Sequence, residues 1–281
     1  MTQVDDLSRS LAAFEQYPES PLVFRAGVFF PQPTASPLEA GRGRGQTARM
    51  TNDPLPLDQG LFGRLRRDTG TVWDGYVAHD FVRALGRGTL PEAAFRHFLI
   101  QDYLFLIHFA RAHALAGFKA TQLADIRAAA AAVTAIVDVE MPLHVSYCAA
   151  WGLSEEQMAG APEAMETMAY TRFVLERGLA GDLLDLQVAL APCLVGYGES
   201  GERLLADPAT RRDANPYGEW IAAYTSEGYR DVVRDAIAML DRLGEAHGAA
   251  ARYPRLLATF VAATRLETAF WDMGWRAGRS P

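Results

Sequence analysis

Cysteine is scarce in this sequence: the 281 residues include two, Cys148 and Cys193. Domains that are held together by disulfides use many more cysteines for their length, so this chain has no disulfide framework. Such sparing use is typical of proteins that work in a reducing compartment. We therefore expect a cytoplasmic protein whose two thiols stay free.

An excess of positive charge is also missing, because 27 Lys and Arg against 34 Asp and Glu give a net charge of -7. Nucleic acids and anionic membranes attract basic surfaces, so neither is expected as a partner. No run of about 18 uninterrupted apolar residues is present to span a bilayer. The N-terminus carries Asp5 and Asp6 and lacks the basic and apolar regions of a signal peptide.

Strict alternation of apolar and polar residues, the pattern of half-buried strands, is absent as well. From Leu61 onward the apolar residues recur at spacings of three and four, as they do from Phe95 to Ala110 behind Pro91. Asn215–Pro216 predicts a helix start, with an N-cap followed by proline. Further helices are predicted over 121–150, 162–179, 182–205 and 254–277. The sequence predicts an all-α bundle of about seven or more helices.

The first 57 residues differ from the rest. Five prolines flank a glycine–arginine repeat over 41–45, a composition typical of loops. We predict an N-terminal extension over residues 1–57 and one helical domain over residues 58–281. Met50 is an alternative start of the chain.

Two acids lie on helix faces that are otherwise apolar. Asp102 follows Phe98 and Leu99 on its stripe, and Glu267 lies between Phe260 and Phe270 on the last helix. A buried carboxylate is costly unless it is paired, so each acid either has a structural partner or binds a ligand. Burial would raise the pKa of Glu267 and let it donate a proton near neutral pH.

Cys193 follows Pro192 inside an apolar helical stretch. Proline removes one helical hydrogen bond and presses on the carbonyl of Val188, so a bend is predicted beside the thiol. Cys193 alone is equally well an inert buried residue, which is how we interpret Cys148. Three tyrosines with apolar neighbours are either core residues or stacking and phenol groups around a planar ligand. They are Tyr170, Tyr217 and Tyr224.

Two other patterns are weaker. The run Gly196–Gly201 matches the G-x-G-x-x-G fingerprint of dinucleotide sites, but Pro192 and the lack of further strands argue against that fold. Glu140, His144 and Cys148 share one helical face and could ligate a metal, yet other helices offer too few matching histidines. We expect no metal and no cofactor.

The combination resembles the TenA family, the thiaminase II enzymes, over about residues 65–277. The first 57 residues lie outside the resemblance. It is carried by five separated motifs in order: Ile100–Phe109 (IQDYLFLIHF), Glu140–His144 (EMPLH), Leu190–Cys193 (LAPC), Asn215–Tyr224 (NPYGEWIAAY) and Leu266–Trp271 (LETAFW).

The resemblance implies a heme-oxygenase-like helical bundle that forms a homotetramer and needs neither heme nor metal. It implies hydrolysis of thiamin or of 4-amino-5-aminomethyl-2-methylpyrimidine to the hydroxymethylpyrimidine in thiamin salvage. Cys193 matches the nucleophile, Glu267 the proton shuttle and Asp102 the carboxylate that holds the aminopyrimidine. Tyr170 and Tyr224 match pocket tyrosines.

Phe105 departs from the family pattern, since many members carry tyrosine three residues after the aspartate. Phenylalanine keeps a ring for packing against the substrate and loses a phenol that could bond the cysteine or the substrate. Two other functions stay open: a regulatory or pyrimidine-binding helical protein without catalysis, and a metal-dependent oxidase using Glu140 and His144.

Overall fold

The computed structural model describes residues 53–279. This part of the chain contains twelve α-helices and one π-helical turn joined by loops, and it contains no strand. The helices are α1 Gly60–Thr69, α2 Thr71–Val77, α3 Asp80–Gly86, α4 Glu92–Lys119, α5 Leu123–Ala135, α6 Met141–Ala149, α7 Glu155–Ala159, α8 Met165–Ala180, α9 Leu183–Ala206, α10 Gly218–Tyr224, α11 Glu227–Ala246 and α12 Ala249–Ala277; the π turn is Ile136–Glu140. The predicted all-α class is confirmed.

Four long helices, α4, α8, α9 and α12, pack against one another and form the centre of the bundle. Trp271 on α12 is fully buried there, stacked on Phe81 at a centroid distance of 5.0 Å and close to Phe98 and Tyr197. Burying one such large side chain contributes about 2–3 kcal/mol. This aromatic core fixes the four helices around the candidate site.

Helix α9 begins with a reciprocal cap, in which Asp182 and Asp185 each accept a backbone N–H from the other. The helix continues without interruption through Pro192. Its glycines allow close packing: a Cβ on Gly196 would lie 2.2 Å from Tyr76 Cε1, and one on Gly198 would lie 2.8 Å from Val233 Cγ2. The glycine run is therefore a helix-packing motif of this bundle.

The predicted helix over 121–150 is divided by the π turn. The Met141 N–H bonds the Ile136 carbonyl five residues back, and Pro142 follows with no N–H of its own. The extra residue of the π turn rotates the helix, so the residues after the turn present a different face to the bundle. Glu140 and His144 thereby turn inward against α4, a placement in keeping with the frequent occurrence of π turns at functional sites.

Two predicted helix starts are wrong by a few residues. The tenth helix begins at Gly218, because Asn215 and Pro216 form a turn in which the Asn215 side chain accepts the Tyr217 N–H at 2.9 Å. The last helix begins at Ala249, ahead of the predicted 254, and Arg252 interrupts its helical dihedrals just before Pro254.

The stretch Leu123–Ala149 is long and apolar enough to span a membrane, and 22% of its most apolar 18-residue segment is buried. His144 within it is buried against α4, which makes the stretch a helix of the bundle as well. The predicted extension over 1–57 lies almost wholly outside the described residues, so the division into extension and domain stays a prediction.

Candidate active site

The central helices bring five of the six predicted site residues into one cluster. Glu267 of α12 accepts a hydrogen bond from Tyr170 of α8 and lies beside Cys193 of α9, while Phe105 of α4 stacks on the Tyr170 ring. Asp102, one helical turn from Phe105, contributes its charge to the same cluster. Asp102, Phe105, Tyr170 and Glu267 are buried, and Cys193 is half-buried. Tyr224 joins them through Glu140, described below.

The Glu267 carboxyl is the hub of this cluster. Its Oε1 accepts the Tyr170 hydroxyl at 2.7 Å, and the Cys193 thiol and the Tyr76 phenol lie close enough to lower its pKa. Burial raises the pKa of Glu267 to about 8, with the nearby Asp102 charge adding to the rise and these three groups opposing it. At neutral pH the carboxyl is therefore protonated and can give up a proton.

The Cys193 thiol is held in its protonated form. Burial raises its pKa well above the usual value, and negative charge on Glu267 and Asp102 raises it further. No cation compensates within the groups that shift it. A thiolate can therefore form only if the proton is passed on, and the carboxylate form of Glu267, the minor form at neutral pH, is the acceptor beside it.

Asp102 is paired with His144 of α6, the helix that follows the π turn. Its Oδ2 accepts the His144 Nε2–H at 2.7 Å, and His144 Nδ1 faces the backbone carbonyl of Glu140 at 2.9 Å. With an acceptor on each side, the imidazole donates from both nitrogens. Burial alone would lower the pKa of His144, but the hydrogen bond and charge of Asp102 raise it above the ordinary value.

Tyr224 enters the site from α10 and donates to Glu140 Oε1 at 3.3 Å. Burial raises the pKa of Glu140 to about 7; His144 and Tyr224 oppose the rise and the Asp102 charge adds to it. A second acid with a pKa near neutrality thus lies next to the Asp102–His144 pair.

Phe105 is stacked on Tyr170, with ring centroids 5.1 Å apart and planes inclined by 28°. Phe109 lies on its other side at 5.4 Å, and Phe270 lies at 5.9 Å. These rings form an apolar wall beside the Glu267 carboxyl.

Sequence reasoning missed three members of the site. His144 is the partner of Asp102, although its spacing from Glu140 suggested a metal face. Tyr76 on the short helix α2 and Tyr197 on α9 are buried against the same cluster. Gly196 leaves room for the Tyr76 ring, a close approach that only the fold reveals.

Other candidates lie elsewhere. Cys148 is fully buried, and burial raises the pKa of its thiol to about 11. Tyr217 donates to the Leu90 carbonyl and packs on Phe95 at 4.7 Å. Among the described residues no three His, Cys, Asp or Glu side chains form a metal-binding group. Two surface cavities, of about 350 and 410 Å³, contain none of the predicted site residues.

Comparison with known proteins identifies the group to which this arrangement belongs. The TENA/THI-4/PQQC family model matches residues 67–277. The chain belongs to this family. A relative named aminopyrimidine aminohydrolase, from Halalkalibacterium halodurans, is 37% identical over 205 residues, which is 73% of this chain and 90% of the relative.

Solved structures support the same assignment. A crystal structure described as a TenA family transcription regulator from Silicibacter sp. TM1040 is 44% identical and covers 76% of this chain and 96% of its own, with a TM-score of 0.71. A Shewanella denitrificans domain of unknown function with a heme oxygenase-like fold shares 16% identity, with coverages of 76% and 91% and a TM-score of 0.60. The heme-oxygenase-like helical fold of this TENA-family chain is thereby confirmed.

Proposed function

We propose that this protein hydrolyses 4-amino-5-aminomethyl-2-methylpyrimidine, thiamin or both to the hydroxymethylpyrimidine, as an enzyme of thiamin salvage. The observation that carries the proposal is the placement of the Cys193 thiol beside the buried Glu267 carboxyl, with Asp102 in the same cluster. Relatives named aminopyrimidine aminohydrolase at 30–37% identity support a hydrolase of this kind.

The residues fit the chemistry of this reaction. Cys193 passes its proton to the Glu267 carboxylate. The thiolate then adds to a carbon of the electron-poor pyrimidine ring, and the electron pair moves toward the exocyclic methylene. The bond from the methylene to the amine or thiazole then breaks, and Glu267 protonates the leaving amine. Water adds to the methylene carbon, the C–S bond breaks, and the released proton returns to Glu267. Every step uses groups of the chain alone.

Asp102 is suited to bind the aminopyrimidine edge. Its Oδ2 is fixed by His144, while Oδ1 is not engaged by that contact and can accept a hydrogen bond from the exocyclic amino group. A carboxylate at this edge favours a protonated, more electron-poor ring. We assign Phe105, Tyr170 and Tyr224 to the walls of the substrate site.

The test compares turnover of thiamin and of the aminomethylpyrimidine by wild type, Cys193→Ser and Cys148→Ser. Cys193→Ser should bind the product pyrimidine and lose at least about a hundredfold in turnover, because an unactivated hydroxyl is a far weaker nucleophile than a thiolate. Cys148→Ser, which changes the buried thiol outside the site, should keep its rate. Near-normal turnover in Cys193→Ser would rule out thiol addition.

A regulatory role is the second candidate, favoured by the description of the 44% identical relative as a transcription regulator. The same assay separates the two functions. We expect a regulator neither to turn over these pyrimidines nor to depend on Cys193. Failure of wild type to convert either compound would favour regulation.

We further propose a cytoplasmic homotetramer. The outer face of the bundle exposes large apolar side chains, which another copy of the chain would cover. They are Phe118, Leu123, Ile126, Val137, Leu143 and Leu179. Light scattering on the purified protein measures the assembly, and Phe118→Ser together with Leu179→Ser should weaken it.

A further inference from the structure

Tyr76 is a buried tyrosine that the proposed reaction does not use, yet it lies beside both residues of the candidate catalytic pair. Its hydroxyl donates to the carbonyl oxygen of Pro192 at 3.1 Å, the residue directly before Cys193. The same hydroxyl lies next to the Glu267 carboxyl, whose pKa it lowers. A phenol carries one hydrogen, so it can donate to only one of these two acceptors at a time.

Packing holds the Tyr76 ring in place, so its hydroxyl hydrogen is the part that is free to rotate. Trp73 packs edge-on at a centroid distance of 5.6 Å, and Trp271 stacks at 6.5 Å. Gly196 lies so close to the ring that a Cβ there would be 2.7 Å from the phenol oxygen. Helix α9 is therefore shaped to admit this side chain next to the nucleophile.

We propose that Tyr76 is a positioning residue whose hydroxyl hydrogen turns from the Pro192 carbonyl to the Glu267 carboxylate when Glu267 gives up its proton. While Glu267 is protonated, its O–H donates to the Tyr76 oxygen and the Tyr76 O–H donates to Pro192. Once the proton has left, the carboxylate accepts from Tyr76 in addition to Tyr170. The inference rests on the proposed function in that Glu267 exchanges a proton with Cys193 or with the leaving group.

The other groups that face Glu267 do not replace this donor. Tyr170 from α8 already donates at 2.7 Å, and Asp102 from α4 disfavours the carboxylate. Tyr229 from α11 donates to the Leu194 carbonyl at 2.9 Å, on the opposite side of Cys193. Tyr197 from α9 is a neutral phenol packed on Trp271, and Glu140 with His144 lies beyond Asp102.

The direction in which Tyr76 shifts the pKa of Glu267 depends on which form of Glu267 accepts the hydrogen bond. A donor that binds the carboxylate lowers the pKa of its acid, and removing it raises that pKa. Cys193 and Glu267 titrate as a pair, so the loss of the first proton from the pair is what an experiment measures. Tyr76→Phe should move that first loss to higher pH.

The experiment measures alkylation of Cys193 by iodoacetamide as a function of pH, in a Cys148→Ser background that leaves one thiol. Tyr76→Phe should shift the rising part of the profile upward by about one pH unit. The rate near pH 7.5 should fall roughly tenfold. Tyr229→Phe, which removes a matched phenol from the other side of Cys193, should leave the profile in place.

The pH profile of kcat/KM in the same variants gives a second readout, and thermal melting checks that each is folded. An unshifted profile in Tyr76→Phe would overturn the inference, as would an equal shift in Tyr229→Phe or a uniform loss of rate at every pH. Alkylation needs no substrate, so a shifted alkylation profile in a protein that converts no pyrimidine would support Tyr76 and reject the proposed function.

Discussion

At the scale of single residues, the same side-chain type has opposite roles in two places of this molecule. Glu199 is buried and bound by Arg66, Trp73 and Arg203. Burial alone would raise the pKa of Glu199, but these hydrogen bonds lower it. Glu267 has hydroxyl and thiol partners and no cation, so burial raises its pKa. One carboxyl holds helices together, and the other is available for proton transfer.

Glu267→Gln should be more stable than wild type and inactive. A carboxyl whose folded pKa lies above its unfolded pKa destabilises the folded state increasingly between the two values, here from about 4.5 to about 8. The stability advantage of Gln should therefore grow by roughly 1.4 kcal/mol per pH unit across that window and level off above it. Denaturant unfolding at several pH values measures it, and pyrimidine binding should persist.

Glu199→Gln is the matched control for that prediction, because it changes a buried Glu that lies outside the proposed site. It takes from Arg66 and Arg203 the buried carboxylate that both bind, leaving them the exposed Asp58 and Asp74, so it should lose stability at pH 7. The stability that Glu199 contributes is present at neutral pH and is lost as the pH falls. A destabilised Glu267→Gln would show that its hydrogen bonds outweigh its burial.

Phe105→Tyr should fold and turn over faster than wild type. The Phe105 ring already stacks on Tyr170, so the larger ring keeps that contact. Its new hydroxyl needs a partner, and Cys193 or the substrate is the expected one. Steady-state rates and melting temperature measure the outcome. A loss of stability without a gain in rate would show that the site is shaped around phenylalanine.

At the scale of secondary structure, the sequence predicts the central helices and misses the local departures. The spacing of Phe98, Asp102 and Phe105 predicts a long buried helix, since that pattern depends only on which face meets the core. The π turn before Met141 depends on the missing N–H of Pro142 and on the contact of His144 with Asp102. Such a contact joins distant segments, and periodicity within one helix cannot reveal it.

Tyr76 illustrates the same limit at the site. It lies in α2, a helix of seven residues, and only the packing of α2 against α9 places it near Cys193. Residues 193 and 267 were predicted because an acid or thiol on an apolar helix is unusual. A buried tyrosine is common, so no pattern distinguishes Tyr76 before the fold is known.

Gly196→Ala should destabilise the protein and lower turnover, because its Cβ would lie 2.2 Å from Tyr76 Cε1 and force the ring away from Glu267. Overpacking of this kind costs about 1–3 kcal/mol. Gly75→Ala is the matched control: it lies in α2, and a Cβ there meets nothing within 4 Å. It should stabilise by up to about 1 kcal/mol through helix propensity. Equal melting temperatures for both variants would contradict the close approach.

At the scale of the whole molecule, residues 53–57 pack against the helical bundle although they precede α1. Leu55 and Leu57 pack against the hydrophobic core. The carbonyl of Asp53 accepts hydrogen bonds from Arg230 and Arg234 on α11. These contacts tie the segment before α1 to the domain, although the family match begins only at residue 67.

A chain that begins at Met50 should therefore fold and keep its rate, because no proposed site residue precedes Tyr76 and the contacts of Asp53, Leu55 and Leu57 are retained. A chain that begins at Gln59 loses those contacts and should melt at a lower temperature with the site residues unchanged. Melting curves and turnover of both shortened chains beside the full chain measure the difference. A folded Met50 chain with little activity would show that residues 1–49 support the site or the assembly.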